Sequence, residues 1–232
     1  MFDLVQWAQS VRPSWAEEPI KPWDEKFSRD VASFVSSETW TDLDAVNVFS
    51  VVGTRNSRYY NWTWQHLLAN GKRMANINLP LFVENPGYYD EVGRKDPPMS
   101  FKTYDGEQLF VDADGNHRTC IAKFAFARVG KTQLHGVTVR RLTIDHALMA
   151  MRDEMVRLCH AKQLQSYIEV DQIILGREDS PGWKVDRFQP VIVVRDSKSG
   201  EKLKTCDLAG AKQWVSDNSR SFFQKLLNRS AR

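Results

Sequence analysis

The chain has 232 residues, 42% of them hydrophobic and 26% charged, and 32 Lys and Arg stand against 29 Asp and Glu for a formal net charge of +3. That composition supplies a real core and excludes a disordered polyelectrolyte. With no apolar run near the roughly 20 residues a spanning helix needs, it also predicts no membrane insertion. The start Met1-Phe2-Asp3 lacks a basic leader, so the expected location is cytoplasmic. Cys120, Cys159 and Cys206 are widely spaced and lack a C-x-x-C pairing, which points to reduced thiols rather than a disulfide framework or a structural zinc.

Residues 1–44 read as an N-terminal arm. Trp7, Trp15, Trp23 and Trp40 are set among Pro13, Pro19 and Pro22, and a weak helical period runs from Trp23 to Ser37. Such an arm is expected to wrap its own domain; the alternative is a protein partner, for which exposed tryptophan would be a hot spot. Val46 to Gly53 reads as a strand, and Gly53 to Arg58 as a polar turn whose Arg55 and Arg58 could reach a phosphate. A helix from about Trp62 to Asn70 is closed by Gly71, Lys72 and Arg73, the glycine and cations suited to a C-terminus. Residues 76–100, punctuated by Pro80, Pro86, Pro97 and Pro98, read as a loop around a short strand Leu81-Phe82-Val83, with Tyr88 and Tyr89 placed to stack on a base.

The most informative stretch is Phe110-Val111-Asp112-Ala113-Asp114-Gly115-Asn116-His117-Arg118-Thr119-Cys120. An apolar strand (Gln108 to Val111) ends in a glycine turn and becomes a helix (Thr119 to Arg128), and Gly136 to Leu142 forms the next strand. A helix entered this way leaves its first backbone N–H groups unpaired and aimed at what sits above them. His117 and Arg118 add side-chain donors at the same mouth, a set suited to phosphate.

In the order strand, Gly-x-x-Arg, helix, strand, residues 76–145 resemble the ParB/sulfiredoxin superfamily. The resemblance implies an α+β ParB/sulfiredoxin-like core at 45–165, between the arm and a C-terminal α/β extension at 166–232. It also implies that the turn holds nucleotide phosphates, with the preceding loop covering the nucleotide. The ligand would be ATP or another nucleotide, held by Gly115, Asn116, Thr119, Arg55 and Arg58. Sulfiredoxins place a nucleophilic Cys directly after the glycine, where this chain has Asn116, which cannot supply a thiolate. Sulfinic-acid reduction is therefore excluded, and Cys120, one turn further, reads as core packing. A second ParB box is absent. The resemblance extends to plasmid fertility-inhibition proteins of the Osa/FiwA type, which implies inhibition of conjugative DNA transfer.

Beyond the core, Asp145 is placed to cap a helix running to about Leu164 with an apolar stripe Leu148, Met151, Met155, Leu158. Tyr167 to Leu175 reads as a strand and Ser180-Pro181-Gly182 as a turn. Pro190 to Arg195 reads as a hairpin partner of Lys202 to Cys206 across Asp196 to Gly200, and helices follow through Ala209–Ser216 and Ser221–Asn228. Gly130-Lys131-Thr132 imitates the tail of a phosphate-binding loop but follows a helix and lacks the upstream glycine. A helix-turn-helix is missing, because strand-like sequence follows the Asp145 helix.

Two function classes remain. In the first, the chain hydrolyses a phosphate bond as an ATPase or deoxyribonuclease: the turn holds the phosphates, Arg118 neutralises developing charge, and His117 or Asp114 orients water or protonates a leaving oxygen. Asp112 and Asp114 would then position Mg²⁺ or water. Arg55, Arg58, Lys72 and Arg73, with Arg118, Lys123, Arg128, Lys131, Arg140 and Arg141, would form one positive rim toward DNA if the two groups flank the Gly115 turn; the alternative is a solvated surface. In the second, the protein keeps the ligand without turnover and acts by binding nucleotide, DNA or a partner protein.

Overall fold

The computed structural model describes residues 3–23, 30–104, 106 and 108–219; the expected helix at 221–228, the cations beyond 219 and positions 24–29 of the predicted 23–37 period lie outside them. The chain is mixed α and β, and its strands pair both parallel and antiparallel. It divides into two units, the described parts of 1–25, 38–142 and 177–185, and those of 26–37, 143–176 and 186–232. The expected boundaries near 44 and 165 therefore do not separate compact pieces. The arm belongs with the core, because Leu4, Ala8, Ala16 and Ile20 are buried in the same apolar cluster as Leu67, Phe101 and Ile121.

In the first unit, α1 (Leu4–Val11) is capped by Asp3, whose Oδ1 accepts from the amides of Val5 and Gln6 at 2.8 and 3.1 Å. Trp15 stacks on Phe124 at 4.7 Å between ring centroids, and Trp23 meets Phe110 edge-on at 5.1 Å. These tryptophans are spent on their own domain. The strands are β1 (Lys21–Pro22), β2 (Val35–Asn47), β3 (Val51–Thr54), β4 (Ser100–Tyr104), β5 (Leu109–Val111) and β6 (Gln133–Ile144). Within the unit their order is β1-β3-β5-β4-β6-β2; β3 runs parallel to β5, β4 antiparallel to β5 and parallel to β6. The expected strand 46–53 is split by a 3₁₀ turn at Val48–Ser50, because Asn47 Oδ1 accepts from the Phe49 amide and turns the chain.

Helices α2 (Trp64–Asn70), α3 (Leu79–Glu84) and α4 (Asn116–Val129) complete the unit. The predicted strand 81–83 is thus a correction: Pro80 sits in the first turn of a helix, where its missing N–H costs nothing. Helix α4 is buried continuously from Thr119 to Phe126, as a helix apolar on most sides must be. Lys123 lies inside that run. Its Nζ donates to the carbonyls of Val48 at 3.2 Å and Val51 at 2.8 Å and sits 4.5 Å from the Trp64 ring. At 3% exposure it tethers α4 to the turn before β3, and it is not available to a nucleic acid as the sequence suggested.

The second unit contains α5 (His146–Ala161), α6 (Leu208–Ser219), β9 (Lys202–Cys206) and most of β7 (Ser166–Ser180) and β8 (Trp183–Asp196). Asp145 caps α5 as expected, accepting from the Leu148 amide at 2.9 Å. The predicted hairpin forms antiparallel between β8 and β9, with Asp196 Oδ1 accepting from the amides of Lys198 and Ser199 in the turn.

Burial lowers the Lys123 pKa to about 8 from the ordinary 10.5. Between those values the unfolded chain holds a proton that the folded chain has released, so this site adds stability as pH rises and loses it as pH falls toward 8. Denaturant unfolding of wild type and Lys123→Met at pH 7.5 and 10 should show the wild type gaining stability relative to the variant at the higher pH. An unchanged difference would contradict the account.

Candidate functional site

Two interactions shape the turn between β5 and α4. Ser100, at the start of β4, accepts from the amides of Ala113 and Asp114 on its Oγ at 3.0 and 3.2 Å, while its own amide donates to the Asp114 carbonyl. Gly115 then enters the helix at φ +117°, a conformation a Cβ would strain. The first intrahelical bond is from Thr119 N to Gly115 O, and among the described residues no side chain caps the amides of Asn116, His117 and Arg118. The predicted helix mouth forms.

Above it lies a cleft of about 600 Å³, a volume within the range of small-molecule sites. Four cations line it, Arg58, Lys72, Arg73 and Arg118, against the carboxylates of Asp96 and Asp114. Ile77, Leu81 and Phe82 supply an apolar wall. Arg58, Lys72 and Arg73 are exposed and, among the described residues, take part in no ion pair or side-chain hydrogen bond.

Arg118 differs. Its Nη1 donates to Tyr88 Oη at 2.9 Å and to the Pro97 carbonyl, and its Nη2 to the Pro98 carbonyl at 3.0 Å and to Asp114 Oδ2 at 2.8 Å. The guanidinium is consumed in holding the 86–98 segment against α4. The segment is pinned a second time by Lys95, which is buried and donates to the carbonyls of Tyr88 and Glu91 at 2.5 and 2.6 Å. Tyr88 lines the cleft with its hydroxyl bonded, and Tyr89 is buried against Phe82.

His117 is half-buried between two side chains. Nε2 lies 3.0 Å from Tyr59 Oη, and Nδ1 lies 3.2 Å from Asn78 Nδ2. Burial pushes its pKa below the ordinary 6.5; Arg73 acts the same way, as do Arg118 and Arg58, and Asp114 opposes them. The ring is neutral with both nitrogens occupied. Gly71 makes room for it: a Cβ there would come within 3.1 Å of Nε2.

The remaining predicted residues are dispersed. Arg55 pairs with Asp112 at 2.6 Å, and neither lines the cleft. Both oxygens of Asp114 are engaged, Oδ1 by the Gly115 amide and Oδ2 by Arg118. Each carboxylate keeps lone pairs to spare, but among the described residues no group of three or more His, Cys, Asp or Glu could hold an ion. Thr119 is fully buried with its Oγ1 unpartnered, and Cys120 is buried with its thiol donating to the Trp64 carbonyl at 3.3 Å. Burial raises that thiol's pKa, opposite to what a nucleophile needs.

On β6, Arg140 is paired with Glu38 and lies 5.2 Å from the Trp40 ring, while Arg141 is paired with Asp44. They do not form a free positive rim. Sequence reasoning missed Tyr59, Asn78 and Ser100; it read Lys72 and Arg73 both as helix-ending cations and as part of a positive rim flanking the Gly115 turn, and Arg58, Lys72 and Arg73 do line the cleft there.

Compared with protein-family models, with curated proteins and with solved structures, the chain has no match. Among the described residues no helix is long and apolar enough to cross a membrane.

Arg118→Ala should lower stability by about 1–2 kcal/mol, since it removes a partly buried guanidinium that bonds two carbonyls, a hydroxyl and a carboxylate. Chemical denaturation checks this, and a loss under 0.5 kcal/mol would contradict the tethering role. By NMR, the His117 ring should titrate below the ordinary histidine value and Arg73→Ala should move it back up. A titration above 6.5 in the wild type would contradict the assigned environment.

Proposed function

We propose that this protein binds a phosphate-bearing ligand of nucleotide size in the cleft at the start of α4. The reading is carried by Arg58, Lys72 and Arg73, three cations that have no ion pair or side-chain hydrogen bond among the described residues and that converge on the mouth of a helix whose first amides are uncapped there too. Unpaired guanidinium and ammonium groups around free amides form a donor set suited to a polyanion, and each added opposite charge favours binding without reading sequence. The apolar wall of Ile77, Leu81 and Phe82 suits the uncharged part of such a ligand. The strand, glycine turn, helix order supports a ParB/sulfiredoxin-like arrangement, and nucleotide is the ligand class proposed with it.

Between turnover and binding alone, the geometry favours binding. General-base work needs a ring nitrogen free to take a proton, and both nitrogens of His117 are engaged. Charge stabilisation by Arg118 would require breaking its bonds to Pro97, Pro98 and Asp114. DNA is the weaker ligand candidate, since Arg140 and Arg141 are neutralised by partners and Lys123 is buried. Inhibition of a partner process, conjugative transfer among them, fits a ligand-gated binder.

Isothermal titration of the full chain with ATP, with and without Mg²⁺, tests this. Arg58→Ala and Arg73→Ala should each weaken ATP about three- to tenfold, and affinity should fall as salt rises. Wild type should release no inorganic phosphate. Equal affinity in a folded Arg58→Ala/Arg73→Ala double variant would overturn the site, and turnover by purified wild type would restore the catalytic class.

A further inference from the structure

The cleft contains a buried polar side chain whose proton has no acceptor among the described residues. Tyr59 is 5% exposed, lines the cleft, and its hydroxyl has a single partner among the described residues, His117 Nε2 at 3.0 Å. Which of the two donates is decided one residue further away. Asn78 Nδ2 lies 2.8 Å from the Arg73 carbonyl oxygen, which can only accept, so that side-chain atom is the amide nitrogen and not its oxygen. The same nitrogen faces His117 Nδ1 at 3.2 Å and donates its second proton there. Nδ1 must then be unprotonated. A neutral imidazole carries its one proton on the other nitrogen, so Nε2–H donates to Tyr59 Oη. The hydroxyl, already accepting from His117, is left with its own proton to give.

We infer that Tyr59 is a ligand-contacting and specificity-determining residue of the cleft, its hydroxyl aimed as a donor at an anionic oxygen by the chain Arg73 carbonyl, Asn78, His117. The inference rests on the phosphate reading above and adds to it the identity of the donor and the class of oxygen it selects. Because Oη accepts from the imidazole, its own proton needs an acceptor from the ligand. Phosphoryl or carboxylate oxygens satisfy it, whereas a ligand group that only donates leaves its proton buried and unpaired. His117 and Asn78 act through Tyr59 and are positioning residues. Their arrangement adds no charge to the site, so electrostatic attraction stays with Arg58, Lys72 and Arg73, while Tyr59 contributes direction. The sequence pattern explains the convergence. The Gly71 to Asn78 segment passes directly over the first turn of α4, where Gly71 has no side chain to displace the ring, and the amide of Asn78 donates to the same Arg73 carbonyl at 2.9 Å.

The test uses the full chain and ATP as probe. Tyr59→Phe keeps the ring that packs edge-on against Trp62 and His117 and removes only the hydroxyl. It should weaken ATP about tenfold or more, as loss of a hydrogen bond to a charged acceptor does. In ¹⁵N spectra of histidine-labelled wild type at neutral pH, His117 should carry its proton on Nε2 alone. Asn78→Ala should give a mixture of tautomers together with weaker ATP binding, a readout that a merely structural role would leave unmoved. Wild type that binds ATP while a folded Tyr59→Phe binds it equally well overturns this inference and leaves the phosphate site standing. A wild-type His117 protonated on Nδ1 also overturns it, whatever the fate of the variant. Wild type that does not bind ATP overturns both readings together.

Discussion

The cleft depends on a single guanidinium. Arg118 projects from the first turn of α4 and gathers the carbonyls of Pro97 and Pro98, the hydroxyl of Tyr88 and the carboxylate of Asp114 around one cation. A Pro-rich segment has few amides with which to build its own ladder, so its carbonyls must find donors elsewhere. Arg118 from one side and Lys95 from within supply them. What composition would class as a covering loop is thereby made a fixed wall, and the space between that wall and α4 has a defined volume rather than an average one.

That use of Arg118 changes how the glycine turn is to be understood. The residue types at 115–118 suit phosphate, and the backbone does present free amides, but the side chain that looks most like a phosphate ligand serves the architecture. In the proposed reading ligand charge is matched instead by Arg58, Lys72 and Arg73, which the turn before α2 and the turn after it bring to the cleft. The division of labour is physically reasonable. A partly buried cation with four acceptors is costly to release, while exposed cations without such acceptors lose only water and counterions on meeting an anion.

Lys123 shows the same logic in the interior. A buried ammonium without a carboxylate is expensive, and the protein offsets the cost with two carbonyls at the turn before β3 and the faces of surrounding aromatic rings. The tether joins α4 to the sheet that positions its N-terminus, so the helix mouth, the cleft wall and the core are each anchored by a cation that bonds at least two backbone carbonyls.

Local features were legible in the sequence because their causes are local. The Asp145 cap, the Asp196 to Gly200 turn and the glycine entry to α4 each follow from residues within one or two turns of one another. Tertiary structure decided what local pattern cannot carry. It turned 79–84 into a helix, where a three-residue apolar run is equally compatible with a strand. It folded the tryptophan arm into the core. It also sorted the cations, because Arg55 meets Asp112 across 57 residues and Arg140 meets Glu38 across 102. Whether a charge is free or spent depends on partners that distant, and the Tyr59, His117, Asn78 chain exists only once three separate segments meet.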